Sequence, residues 1–220
     1  MKPSHRFLPV LILVIGLGLI VGFASDAAEL TVPGGYGSIQ AAVNAANSGD
    51  TVLIAEGTYD EVVQVEKSGI TFEAAGEVSA TVLNGTINIE SAYGTVVDGL
   101  TITGAGDGIR VRGNTRGPEP SLVVRNSVIS GNTGDGIDLS HGASYVGVSI
   151  ENNQINGNGA DGVKLQGIGD DVVLAENTVS DNGAIESTGV GVRVGGGAKG
   201  VVIENNTMED NSFANIHPGG

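Results

Sequence analysis

The chain contains no cysteine among its 220 residues, which excludes disulfides, thiolate metal sites and a lipid-attachment cysteine. Aromatic residues make up 4% and tryptophan is absent, so any core must be aliphatic. Cations are scarce: 10 Lys and Arg stand against 25 Asp and Glu, for a net charge of −15. That balance, with a pI near 4.3, argues against nucleic acid as a partner. No GxGxxG, P-loop, HExxH or Cys/His cluster is present, so no cofactor is signalled by motif. A long apolar run occurs once, from Phe7 to Phe23.

That run follows Lys2 and Arg6 and precedes small residues at Ser25-Asp26-Ala27. Residues 1–27 therefore read as a signal peptide, with an uncleaved membrane anchor through residues 7–23 as the alternative. Either way the remainder, residues 28–220, is expected outside the cytoplasm: secreted, at the cell surface or in the periplasm. Membrane contact is expected through this segment alone.

Glycine is plentiful, 37 residues against an average near 7%. Much of it belongs to a phrase that recurs roughly every 24–29 residues: a β-branched residue, an Asn-rich turn, then Gly-Ile/Val-x-Leu/Val. Residues 124–139 (VRNSVISGNTGDGIDL) and 150–165 (IENNQINGNGADGVKL) are successive copies; others begin near Val97, Leu174 and Ile203. Short alternating runs such as Ile109-Arg110-Val111 and Val163-Lys164-Leu165 read as half-buried strands. A unit of about 25 residues with three such strands stacks into a parallel β-helix with aligned side chains about 4.8 Å apart. The fold class is thus all-β, a single-stranded right-handed parallel β-helix of about seven coils. Ser38 to Ala46 predicts a short capping helix: Ser38 is an N-cap, Ile39, Ala42, Val43 and Ala46 form an apolar stripe, and Gly49 stops it. No matching cap is visible at Pro218-Gly219-Gly220, so a partner or further cap is expected at that end.

Asn132, Asn158, Asn182 and Asn211 share one repeat position; Asn153, Asn177 and Asn206 share another. Both rows read as structural, because stacked amides bond from coil to coil and Asn tolerates left-handed corners.

Three sets of residues carry possible chemistry. Asp107, Asp135 and Asp161 each precede a repeat glycine. Carboxylates about 5 Å apart repel by roughly 0.8 kcal/mol in water and about 3 kcal/mol at an effective dielectric of 20. Such a row wants solvent, a shared proton or a cation, and Ca²⁺ is the cation that suits oxygen ligands. The alternative is that Asp-Gly serves as corner chemistry. Outward from the same strands come Arg110, Asp138, Lys164 and Arg193, flanked by Arg112, Ser140, His141 and Gln166. Gathering cations on one face of an acidic chain suits the carboxylates of an acidic polysaccharide. Asp135, Asp161, Lys164 and His141 are the candidate catalytic groups; Arg110, Arg112, Asp138, Gln166 and Arg193 the candidate substrate contacts. A solvated cross-strand charge ladder, worth a few tenths of a kcal/mol per pair, is the competing explanation.

From Thr31 onward the chain resembles the pectin lyase-like right-handed parallel β-helix superfamily. Gly57-Thr58-Tyr59-Asp60-Glu61 resembles the Gly-x-Tyr-x-Glu opening of pectin methylesterases and other members, where it marks the first coil and not a reaction. The repeat is similar to copper-insertion and carbohydrate-processing β-helix domains. Asn132-Thr133-Gly134-Asp135-Gly136-Ile137-Asp138 resembles the Asn-Thr-Asp-Gly-Ile-Asp segment of polygalacturonases, with one inserted Gly. Their next coils carry Asp-Asp and Gly-His-Gly; this chain reads Ala160-Asp161 and Gly189-Val190-Gly191 there. The resemblance implies action on, or binding of, an acidic polysaccharide by a lyase, hydrolase, epimerase or non-catalytic module. A structural surface or assembly protein is the alternative.

Overall fold

The computed structural model describes residues 27–118, 120–140, 142–185 and 189–218. The signal or anchor segment through residue 26 and His141 lie outside the described residues. The chain winds as a right-handed parallel β-solenoid of about eight turns. Three parallel sheets form its walls, and each coil gives one short strand to each wall. The first sheet has eight strands, from Glu29–Val32 to Val201–Glu204. The second has seven, from Gly57–Tyr59 to Thr207–Glu209. The third comprises Val63–Val65, Ile87–Glu90, Ile109–Arg112, Ile137–Asp138, Val163–Leu165, Val190–Val194 and Ala214–Pro218. Seven coils describe the second and third sheets; the extra strand of the first is Glu29–Val32, which opens the stack.

Strands alternate because one face is packed and one is wet. In the third sheet Ile87, Ile109, Ile137, Val163 and Val192 stand in one register row and are all fully buried. Burying each such side chain contributes about 1.5–3 kcal/mol. The helix spans Ile39–Ala45, with Ile39, Ala42 and Val43 buried against the first coils. Ser38 is its N-cap, its hydroxyl accepting from Ala41 N–H. The Glu61 carboxylate accepts from Ile39 N–H at 2.9 Å and Gln40 N–H at 2.8 Å, meeting the helix's exposed donors and its positive end. The Tyr59 hydroxyl donates to Ala55 C=O at 2.9 Å. The Gly-x-Tyr-x-Glu motif therefore ties the cap to the first coil. The helix stops at Ala46 in extended conformation, three residues before Gly49 turns the chain at φ +96°.

Both asparagine rows are continuous ladders. Asn132, Asn158 and Asn182 each donate Nδ2 to the Oδ1 of the next member at 2.9 Å, ending on Asn211. The same Nδ2 groups donate to the carbonyls of Ile102, Ile129 and Ile155 in the preceding coils. Asn153, Asn177 and Asn206 repeat the pattern. Each amide thus joins three coils, all in the same sense. Positive φ belongs to the residue before each ladder Asn, such as Asn152 (55°), Glu176 (59°), Asn205 (55°) and Asp181 (54°), and not to the ladder Asn itself. That left-handed residue turns the corner, and the next side chain enters the interior.

Tyr145, fully buried, is the largest side chain of the core. Its ring lies against Gly169 of the next coil, where a Cβ would fall 1.8 Å from the ring. Burial pushes its phenol up to about 12. In the last coil Phe213 (59% exposed) and Ile216 (46%) leave apolar surface uncovered.

Candidate functional site

The outward side of the third sheet collects the chain's polar chemistry. Register places Gln64, Asn88, Arg110, Asp138, Lys164, Arg193 and His217 in a single row, one per coil. Arg110, Lys164 and Arg193 are each part exposed, whereas Asp138 between them is fully buried. Arg112 stands two residues beyond Arg110 on the same outward side, in register with the exposed Glu90. Gln166 follows the Val163–Leu165 strand and is part exposed. Ser140 N–H donates to Asp138 Oδ1 at 2.9 Å, and the Ser140 hydroxyl adds a second bond to the same oxygen.

Asp107, Asp135 and Asp161 sit at the corner leading into these strands and are all buried. Their Oδ1 atoms accept the backbone N–H of Asp135, Asp161 and Val190, each one coil further on, at 2.8–2.9 Å. Their Oδ2 atoms face cations: Arg110 Nη2 at 2.5 Å, Lys164 Nζ at 3.2 Å and Arg193 Nε at 2.5 Å. The mutual repulsion of the row is thus met by backbone donors and by a parallel row of cations. Asp135 and Asp161 take their cation from the next coil. Asp107 cannot, because the register position there is Asp138, so it holds Arg110 of its own coil. Glycine must follow each aspartate: a Cβ at Gly136 would lie 2.6 Å from Gly162 C=O and 2.9 Å from Asn158 Nδ2.

Burial is the largest influence on Asp135 and raises its pKa to about 6; the Asp161 N–H and the Lys164 charge oppose it only in part. Burial alone would lower Lys164, but the charge of Asp135 and its hydrogen bond reverse that and hold the ammonium above the ordinary lysine value. Lys164 therefore stays charged at neutral pH, and Asp135 is the group of the pair whose proton is exchangeable near neutrality.

One carboxylate oxygen each from Asp107, Asp135 and Asp138 lie within 4.8 Å of one another. Ca²⁺ takes 6–8 oxygens at 2.3–2.6 Å, and these three are hard donors of the type it takes, which it would share with Arg110 and Lys164. These residues fit the ion. Asp161 is not in this group; it is held one coil further on by Arg193. Asp138, expected from sequence to touch substrate, supplies the third oxygen. The Asp135-Gly-Ile-Asp138 spacing was the available signal, since it returns two carboxylates to one coil.

Among the described residues no helix is long and apolar enough to cross a membrane. None of the curated proteins matches the chain. Three solved structures do: the pectate lyase Pel9A (20% identical, TM-score 0.66, covering 86% of this chain and 55% of that one), the catalytic unit of a GH87 α-1,3-glucanase from Streptomyces thermodiastaticus (17%, TM-score 0.46, 84% and 41%), and the A-module of the Azotobacter vinelandii mannuronan C-5 epimerase AlgE6 (18%, TM-score 0.33, 81% and 74%). The chain spans about half the length of the lyase. The family model "Right handed beta helix region" matches residues 85–219. Register, sheet order and that match agree: the chain belongs to the right-handed β-helix family.

Proposed function

We propose that the outward side of the third sheet binds an acidic polysaccharide outside the cytoplasm and processes it where Asp135 meets Lys164. The observation that supports this best is the register row itself. It holds Arg110, Lys164 and Arg193 part exposed and fixed from behind by buried carboxylates, in a chain that is otherwise strongly acidic. Arg110 to Arg193 spans about 14 Å at the strand spacing, the scale of a few sugar rings. The fold shared with a pectate lyase adds support for an acidic polymer. Export follows from reading residues 1–27 as a signal or anchor. The exposed Phe213 and Ile216 support a partner on the last coil.

The carboxylates of Asp107, Asp135 and Asp138 favour Ca²⁺-dependent elimination as the form the processing takes. A bound Ca²⁺ would supply positive charge to a uronate carboxylate and acidify the neighbouring C–H. Ser140 orients Asp138 and Lys164 keeps positive charge beside Asp135, while in the elimination the C5 proton is lost as the C4–O bond breaks and the departing sugar oxygen takes a proton from solvent.

The purified protein, incubated with polyuronates and neutral glucans with Ca²⁺ or EDTA, tests this reading. Ultraviolet absorbance of unsaturated uronides that EDTA abolishes and Asp138→Asn lacks is expected. New reducing ends without absorbance would reassign the face to hydrolysis. Binding without turnover would make it a recognition module. Neither binding nor turnover on any polyuronate would refute the proposal.

A further inference from the structure

Accepting that acidic-polysaccharide reading, we infer that Arg112, beside the row of partly committed cations that line the face, is the residue that grips a uronate carboxylate with its whole fork. Arg110 is committed to Asp107, Lys164 to Asp135 and Arg193 to Asp161. Each of these spends part of its donor set on a buried aspartate, so a substrate carboxylate meets a partly satisfied cation there. Away from this row, Arg116 pairs with Asp170, Arg125 with Asp98, and Lys67 donates to the C-terminal carbonyls of the helix. Arg112 differs. Its side chain points outward beside Arg110 and is part exposed, yet no described residue accepts a hydrogen bond from its guanidinium, and its Nε is buried without an acceptor. Glu90, its neighbour in register, is exposed and forms no ion pair with it. Lys199, whose side chain is also without a partner among the described residues, lies exposed and away from the row.

A guanidinium held on a rigid strand with its donors unspent suits bidentate recognition of a planar carboxylate. Arg112 stands roughly 7 Å from Arg110 along the strand, so a sugar anchored there lays its ring towards Asp138 and Lys164. The site therefore selects polymers with a carboxylate on the ring, and a neutral glucan gains nothing from it.

Equilibrium binding of an oligogalacturonate and of a neutral gluco-oligosaccharide to the full chain tests the assignment. Arg112→Gln is expected to weaken oligogalacturonate binding at least roughly tenfold, the scale of a charged hydrogen bond, and to leave the neutral sugar unaffected. Arg112→Lys, which keeps the charge and loses the fork, is expected to fall between. Because Arg112 spends no bond on any described residue, Arg112→Gln should melt with the wild type, whereas Arg193→Gln should melt lower. If Arg112→Gln fails to fold, Arg112→Lys decides the matter. Oligogalacturonate bound by wild type and by Arg112→Gln within twofold of each other would overturn this inference alone. No binding of any polyuronate by wild type would overturn both this and the reading beneath it.

Discussion

Replacing Asn158 with Ala removes the centre of the longer asparagine ladder without touching the apolar rows. Asn158 is fully buried, and its Oδ1 accepts from Asn132 N–H at 3.2 Å and Asn132 Nδ2 at 2.9 Å. Its Nδ2 donates to Ile129 C=O at 3.1 Å and Asn182 Oδ1 at 2.9 Å. Asn132 Nδ2 retains Ile102 C=O, and Asn182 Oδ1 retains Asn158 N–H. The backbone N–H of Asn132 and the backbone C=O of Ile129 lose their partners in a dry interior. Each such orphan costs about 1–3 kcal/mol, so the variant should lose about 3–4 kcal/mol. For a chain of this size that is a fall of roughly 6–16 °C in Tm. Asn211→Ala deletes the equivalent amide at the part-exposed end of the ladder, where water replaces it, and should cost about 1 kcal/mol. Thermal and denaturant unfolding of both variants checks the argument. Equal losses, or less than about 1 kcal/mol for Asn158→Ala, would refute the view that the ladder satisfies buried backbone.

Asp135→Asn should alter the pH dependence of stability. The folded pKa near 6 lies above the ordinary aspartate value of 3.8, so folding favours protonated Asp135. The stability this gives is full below about pH 4 and is lost as pH rises through 6; at pH 8 the Asn variant should gain about 2–3 kcal/mol on wild type relative to their difference at pH 4. Unfolding of both proteins across that range measures it, and parallel curves would contradict it. Gly169→Ala should cost about 2–4 kcal/mol because its Cβ enters the Tyr145 ring, and Tyr145→Leu in the same chain should recover part of the loss. Glu61→Ala should destabilise by about 1–2 kcal/mol, with helix melting preceding the rest by hydrogen exchange, since two helix N–H groups lose their acceptor.

The coil period, the asparagine rows and the cap helix are legible in the sequence because each is a local pattern repeated at fixed spacing. The aspartate row is legible as a row, but its ion pairs are not. Whether Asp107 bonds forward or within its own coil depends on Asp138 occupying the next register position, which only the strand pairing shows. The full burial of Asp138 is equally hidden, since strand alternation marks it as outward. The contact of Tyr145 with Gly169 was out of reach for a different reason. It depends on the strands Ser144–Glu151 and Ile168–Ala175 running longer than their neighbours, and no repeat pattern announces that. Arg112 reads in sequence as one more member of a basic cluster; its distinction is that no described residue bonds it, which is a property of space alone.

The amides of the two ladders all point one way, and this gives the solenoid an electrical direction that its sheets do not have. Each amide carries a dipole of about 3.5 D, and those aligned head to tail add along the axis. Oxygen leads toward the N-terminal coils and nitrogen toward the C-terminal ones, so Asn132 begins its ladder with Oδ1 buried and undonated. A coil of the same kind can extend such a row only in the same orientation. An inverted neighbour would set oxygen against oxygen or N–H against N–H, so the ladders act as a polarity filter on anything stacked on the column.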